Sequence, residues 1–143
     1  MTESYTHEYT FTTSDFKIMG WSCCRLYSLR MPDQSLSISL DIDYILEGLT
    51  DIDADFLILP SLLKFENINH FEASQKWDIL KDAVPTDIRM IECKTLDKRT
   101  PHGQTLYEFK IDTDFGHINV CCTGFTQTPT QKPIWSPTMN LNR

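Results

Sequence analysis

Ten residues, Ser35 to Tyr44, restrict the folding of this chain more than any others. Leu36, Ile38, Leu40, Ile42 and Tyr44 alternate without a break with Ser35, Ser37, Ser39, Asp41 and Asp43. A side-chain period of two requires a strand with one buried face and one solvated face. The partner is Trp21 to Met31, whose odd positions Trp21, Cys23, Tyr27, Leu29 and Met31 are mostly apolar. Pro32-Asp33-Gln34 supplies the reversal, because proline presets φ and aspartate bonds its own backbone. A β-hairpin over 21–44 follows, with Asp41 and Asp43 on its wet side.

The same reading extends along the chain. Phe56 to Leu59 is an apolar run interrupted by Pro60, and a proline in a ladder implies an edge, a bulge or a strand start. Leu63 and Phe65 alternate with Lys64 and Glu66, and Asn67-Ile68-Asn69 turns into a strand with Phe71, Ala73, Trp77 and Ile79 inward. Over 87–98 the alternation is imperfect, which a bulge explains. A second hairpin places Tyr107, Phe109 and Ile111 opposite Ile118, Val120 and Cys122, turning at Asp114-Phe115-Gly116. Ser14-Asp15 caps a short helical turn through Met19, and Ile45 to Asp55 reads as a loop with one helical turn. After Gln127, Pro129, Pro133 and Pro137 oppose regular structure, with Ile134 and Trp135 pinning the tail.

These signals amount to about seven antiparallel strands and little helix. The expected fold is mainly β: one domain built as a curved sheet, a sandwich or a partly open barrel. Its expected division is a polar segment over 1–20, the sheet over 21–126 and a proline-rich docked tail over 127–143. An apolar content of 41% is that of a chain with a real core.

Charge is distributed unevenly. The formal net charge is −7, yet no lysine, arginine or histidine lies between Arg30 and Lys64. That interval holds Asp33, Asp41, Asp43, Glu47, Asp51, Asp53 and Asp55, while outside it acids and bases are equal in number. An excess of acid argues against a nucleic-acid partner, whose binding rests on phosphate neutralisation. It favours a basic protein partner met through Asp41, Asp43, Glu47, Asp51, Asp53 and Asp55, because complementary charge speeds encounter. A solvated acidic loop kept for solubility is the plainer alternative.

Motifs for chemistry are sparse. Asp51-Ile52-Asp53-Ala54-Asp55 starts like a calcium loop, but Phe56 and Leu62 stand where glycine and glutamate are needed. Asp41 and Asp43 share a face, yet nothing near them separates their pKa values for acid–base work. Cys23-Cys24 and Cys121-Cys122 lack zinc spacing, and an odd count of five cysteines without a disulfide framework points to reduced, mostly buried thiols. No G-x-S-x-G elbow or glycine-rich phosphate loop is present. His102 and His117 read as surface residues, and Arg25 as a lone charge on an apolar side, with Glu92 as a candidate partner. No metal or cofactor is expected. Neither a secretory leader nor a membrane-length apolar run is visible, so a cytoplasmic location is the expectation.

Four stretches carry a resemblance. Trp21-Ser22-Cys23-Cys24-Arg25-Leu26-Tyr27, Leu40-Asp41-Ile42-Asp43-Tyr44-Ile45, Pro60 through Phe65-Glu66-Asn67, and Gly124-Phe125 with Gln127 resemble a family of small bacterial immunity-like proteins. Together they span about residues 20 to 135. The first departs from the family pattern, which has His-Asp where this chain has Ser22-Cys23. The resemblance implies a non-enzymatic, β-rich protein that binds and blocks one cognate toxin. A small-ligand binder or enzyme using a cavity in the curved sheet, or a homo-oligomeric structural subunit, remains the alternative.

Overall fold

The computed structural model describes residues 8–31, 36–48, 55–73, 85–114 and 116–143. Its strands are β1 (Phe11–Thr12), β2 (Arg25–Arg30), β3 (Ile38–Glu47), β4 (Phe56–Glu66) and β5 (His70–Ala73), then β6 (Thr86–Arg99), β7 (Thr105–Thr113), β8 (Gly116–Cys122), β9 (Gly124–Pro129) and β10 (Ile134–Ser136). One 3-10 helix, Thr13–Ile18, follows β1; the Thr12 N–H donates to the Asp15 carboxylate at 2.8 Å at its start. The strands form one antiparallel sheet, not closed into a barrel, in the order β1-β9-β4-β3-β2-β6-β7-β8-β5, with β10 beside β4. The fold is mainly β, with ten strands among the described residues rather than about seven.

The unanticipated strands β9 and β10 share one flank with the edge strand β1, whose Phe11 has the spacing of an edge-strand segment. β9 and β10 run one after the other along β4, and β1 pairs with β9. Residues 127–129 and 134–136 of the docked tail therefore belong to the sheet, in β9 and β10, despite Pro129 and Pro133. Pro60 explains how a proline occupies the middle of an interior strand. Its C=O accepts from Thr130 N–H at 2.8 Å, so its backbone faces the seam between β9 and β10. There the neighbouring strand is broken and needs no donor.

Hairpin β2–β3 forms, but β2 presents its even positions inward at its start. Leu26 and Cys24 are fully buried, while Met31 is 51% exposed. A bulge between Leu26 and Ser28 then shifts the face, so that Leu29 rather than Ser28 aligns with Leu40. One inserted residue exchanges the two sides of a strand, which is why the odd-position pattern fails here. Cys23 precedes β2 in a turn with φ of +69°. β3 continues through Ile45 to Glu47, where a loop was expected. The turn at Pro32-Asp33-Gln34 and the inward positions Trp77 and Ile79 lie outside the described residues.

Among the described residues β2 and β6 pair at Arg25–Asp87 and Leu26–Thr86, and the join ends in backbone bonds of Cys23 and Cys24 with Ile88. About that narrow join the sheet folds over, and its two halves meet through aromatic rings. Phe65 of β4 and Phe109 of β7 lie 5.1 Å apart between centroids, and Phe125 of β9 closes the cluster 5.7 Å from Phe109. Ile38, Leu40, Ile42, Leu63, Ile111, Ile118 and Val120 are buried around them. A filled interior of this kind supplies the stability of a mainly β domain.

Candidate functional site

The outer face of β3 was expected to be wet, and most of it is dry. Ser37, Ser39 and Asp43 are buried, Asp43 at 0% exposure. Residues 137–143 leave β10 and lie across this face. An uncompensated carboxylate there would be costly, so the partners of Asp43 decide whether the arrangement holds.

They are complete. Asp43 Oδ2 accepts from the Tyr27 hydroxyl at 2.6 Å and from Leu141 N–H at 2.7 Å, while Oδ1 accepts from Arg143 Nε at 3.0 Å. Arg143 also donates from both terminal nitrogens to Asp41, at 2.9 and 3.2 Å, and to the Ile42 carbonyl at 3.1 Å. Its guanidinium carbon lies 4.4 Å from the Tyr27 ring centroid, a cation–π contact. Burial, and then the bond to Asp43, push the Tyr27 hydroxyl up to about 12. Beside this network a cleft of about 250 Å³ opens between Arg30, Ser39, Asp41, Leu62 and Arg143.

Asp41 and Asp43 thus share one arginine within the molecule. Every carboxylate oxygen of the pair accepts at least one hydrogen bond from within the chain. Asp43 is corrected from a solvated partner contact to a buried structural anion, and Asp41 becomes a half-covered member of the same network. No local spacing signals this contact, because the arginine is about a hundred residues away.

Glu47 and Asp55 fare differently. Both are exposed, at facing ends of β3 and β4. Asp51 and Asp53, between them in sequence, lie outside the described residues. Across the ladder Glu47 aligns with Leu57, and Leu57 with Trp135 of β10. Trp135 is 58% exposed, whereas Trp21 is buried at 3%. Glu47, Asp55 and the exposed Trp135 ring therefore lie at the same end of the sheet, with Leu57 between Glu47 and Trp135 in the ladder. Trp135 was read as a pin for the tail, but its side chain faces solvent.

Other expectations resolve as structure. Arg25 shares a face with Asp43 and pairs with Asp87 at 2.7 Å, not with Glu92. All five thiols are free, and burial pushes Cys24 up to about 12 and Cys122 up to about 11. Cys23 is only half-buried. His102 and His117 are exposed. Among the described residues no cluster of histidine, cysteine and acid could hold a metal ion, and no helix is long and apolar enough to cross a membrane.

The quoted signatures gather in one place. Trp21 Nε1 donates to Gln127 Oε1 at 2.8 Å inside the core, and the Trp21 ring meets Phe125 at 5.8 Å. Gly124 has φ of +145° and lies against the Thr13 side chain, whose hydroxyl accepts from Phe125 N–H at 2.8 Å. These residues fasten the 3-10 helix to β9, a structural task. Comparisons with protein-family models, with curated proteins and with solved structures return no match.

Proposed function

We propose that this chain is a non-enzymatic protein-binding module, an immunity protein that neutralises a cognate, basic bacterial toxin in the cytoplasm by occluding it. The observation that supports this reading most is the pairing of exposed Glu47 and Asp55 with exposed Trp135 at one end of the sheet. Tryptophan is the residue type most often found as an interface anchor, and acids around it steer a basic partner. Asp51 and Asp53 extend the same acidic loop in sequence. Asp41 and Asp43 play no direct part in docking, since Arg143 already holds them.

The packed interior weighs against the cavity alternative, because Phe65, Phe109 and Phe125 fill the space between the two halves of the sheet. The test is association with the polypeptide encoded beside this gene, measured at low and high salt. Reversing Glu47, Asp51, Asp53 and Asp55 together slows association about tenfold or more at low salt, and Trp135→Ala speeds dissociation. An unchanged association rate removes the acidic docking surface. A neighbouring gene for a metabolic enzyme, with no toxicity to relieve, removes the immunity role.

A further inference from the structure

The join between β2 and β6 ends early. Its last backbone bonds run from Cys23 N–H to the Ile88 carbonyl at 2.9 Å and from Ile88 N–H to the Cys24 carbonyl at 2.8 Å. There the chain turns away at Cys23 and sends Trp21 into the core. β6 continues to Arg99, paired with β7 on one side. Among the described residues no strand pairs with its other side beyond Ile88. We propose that this open edge is a self-association surface, pairing antiparallel with β6 of a second copy about a two-fold axis at Cys93.

The backbone has the right phase. Thr113 faces Gly116 across a two-residue turn, and such a closing pair is hydrogen-bonded. Alternation along β7 then directs Asp112, Lys110 and Glu108 toward β6, where their ladder partners are Met90, Glu92 and Lys94. The N–H and C=O groups of Ile91, Cys93 and Thr95 consequently point out of the open edge. A two-fold axis at Cys93 matches Ile91 with Thr95 of the second copy and Cys93 with itself, so every outward group finds a partner.

The side chains select that register. On the outer face Glu92 lies opposite Lys110, and Lys94 opposite Glu108, a checkerboard of sign across β6 and β7. Glu92 and Lys94 are both exposed. With the axis at Cys93, Glu92 of each copy meets Lys94 of the other. The sign then alternates unbroken over four strands: Glu108, Lys94, then Glu92 and Lys110 of the second copy. Met90, 50% exposed, meets Leu96. Moving the axis to Ile91 sets Glu92 against Met90 and leaves no charge pair, while moving it to Thr95 sets Lys94 against Leu96 and exchanges Lys94 for Lys98 opposite Glu92, breaking the four-strand alternation. Opposite charges directly across an antiparallel pair are favourable and like charges are not. Charged edges ordinarily keep sheets apart; the self-complementary order of these charges is what favours a second copy here.

Charge-swap pairs test both the surface and the register. Sedimentation of the full chain shows concentration-dependent dimers. Glu92→Lys alone and Lys94→Glu alone each set like charges across the axis and weaken self-association about tenfold or more. Mixing the two variants restores opposite signs at both pairs and yields a heterodimer. In the unaltered protein, amide exchange at Ile91, Cys93 and Thr95 slows as concentration rises, a readout that depends on no variant folding. A wild type that stays monomeric at high concentration overturns the proposal. So do dimers indifferent to either single variant, a mixture that fails to associate, or exchange at those three amides that ignores concentration. The proposal stands apart from the docking reading at Glu47 and Trp135, which uses a different part of the sheet.

Discussion

β3 and β7 lie in opposite halves of the same folded sheet, and their sequences look alike: apolar residues alternate with serine and aspartate in one, with glutamate and lysine in the other. Their outer faces end differently. On β7, Glu108, Lys110 and Asp112 keep contact with water, as alternation implies. On β3, the alternate positions Ser37, Ser39 and Asp43 are buried, and at Asp43 the cover is Tyr27, Leu141 and Arg143. A polar face in a sequence therefore states only that its groups need partners. Whether water or another segment supplies them depends on parts of the chain far away.

The two faces predict very different responses to mutation. Arg143→Ala removes the cation from a fully buried carboxylate and should cost about 3–5 kcal/mol in urea unfolding, the range for breaking one side of a buried ion pair. A loss below about 1 kcal/mol would mean that this face behaves like that of β7. Gly124→Ala follows, at roughly 1–3 kcal/mol, because a Cβ would strike the Thr13 side chain at a positive φ. Calorimetry of that variant would show whether the β9 flank is as firmly held as described.

Alkaline pH weakens the fold more gently. Cys24 rises from 9.0 to about 12 and Tyr27 from 10.0 to about 12 in the folded protein. The folded state therefore holds protons that the unfolded chain releases, so stability is full below about pH 9 and falls as pH climbs toward about 12. Tyr27→Phe should shallow that fall at the tyrosine end, measured as the thermal midpoint against pH. The smallest effect belongs to the wet face: Lys110→Ala should stay within about 0.5 kcal/mol of wild type.

Much of this fold was legible in the residues. The two hairpins, the Asn67 turn, a short helical turn ending before Met19 and the bulge in β6 all follow from local alternation or turn chemistry, though the helix is capped by Thr12 and not by Ser14-Asp15. β9 and β10 were not legible, because Gly124-Phe-Thr-Gln-Thr-Pro has a weak period and prolines close by. Its strand character comes from lying beside β4. Of the acids proposed as a docking face, Glu47 and Asp55 are exposed as expected. Asp43 was misplaced because its solvent was replaced by Tyr27, Leu141 and Arg143, and no spacing in a sequence links positions 43 and 143. Trp135 carried a signal in its residue type alone.

The most direct test of this account is the coupling free energy between Asp43 and Arg143, from unfolding of Asp43→Asn, Arg143→Met and the double variant. A buried pair that latches residues 137–143 onto β3 predicts that the second substitution costs far less once the first is made, with a coupling of about 1.5 kcal/mol or more. Strictly additive losses would show that the latch contributes nothing. Asp41 and Asp43 would then return to the solvated acidic face that their alternation first described.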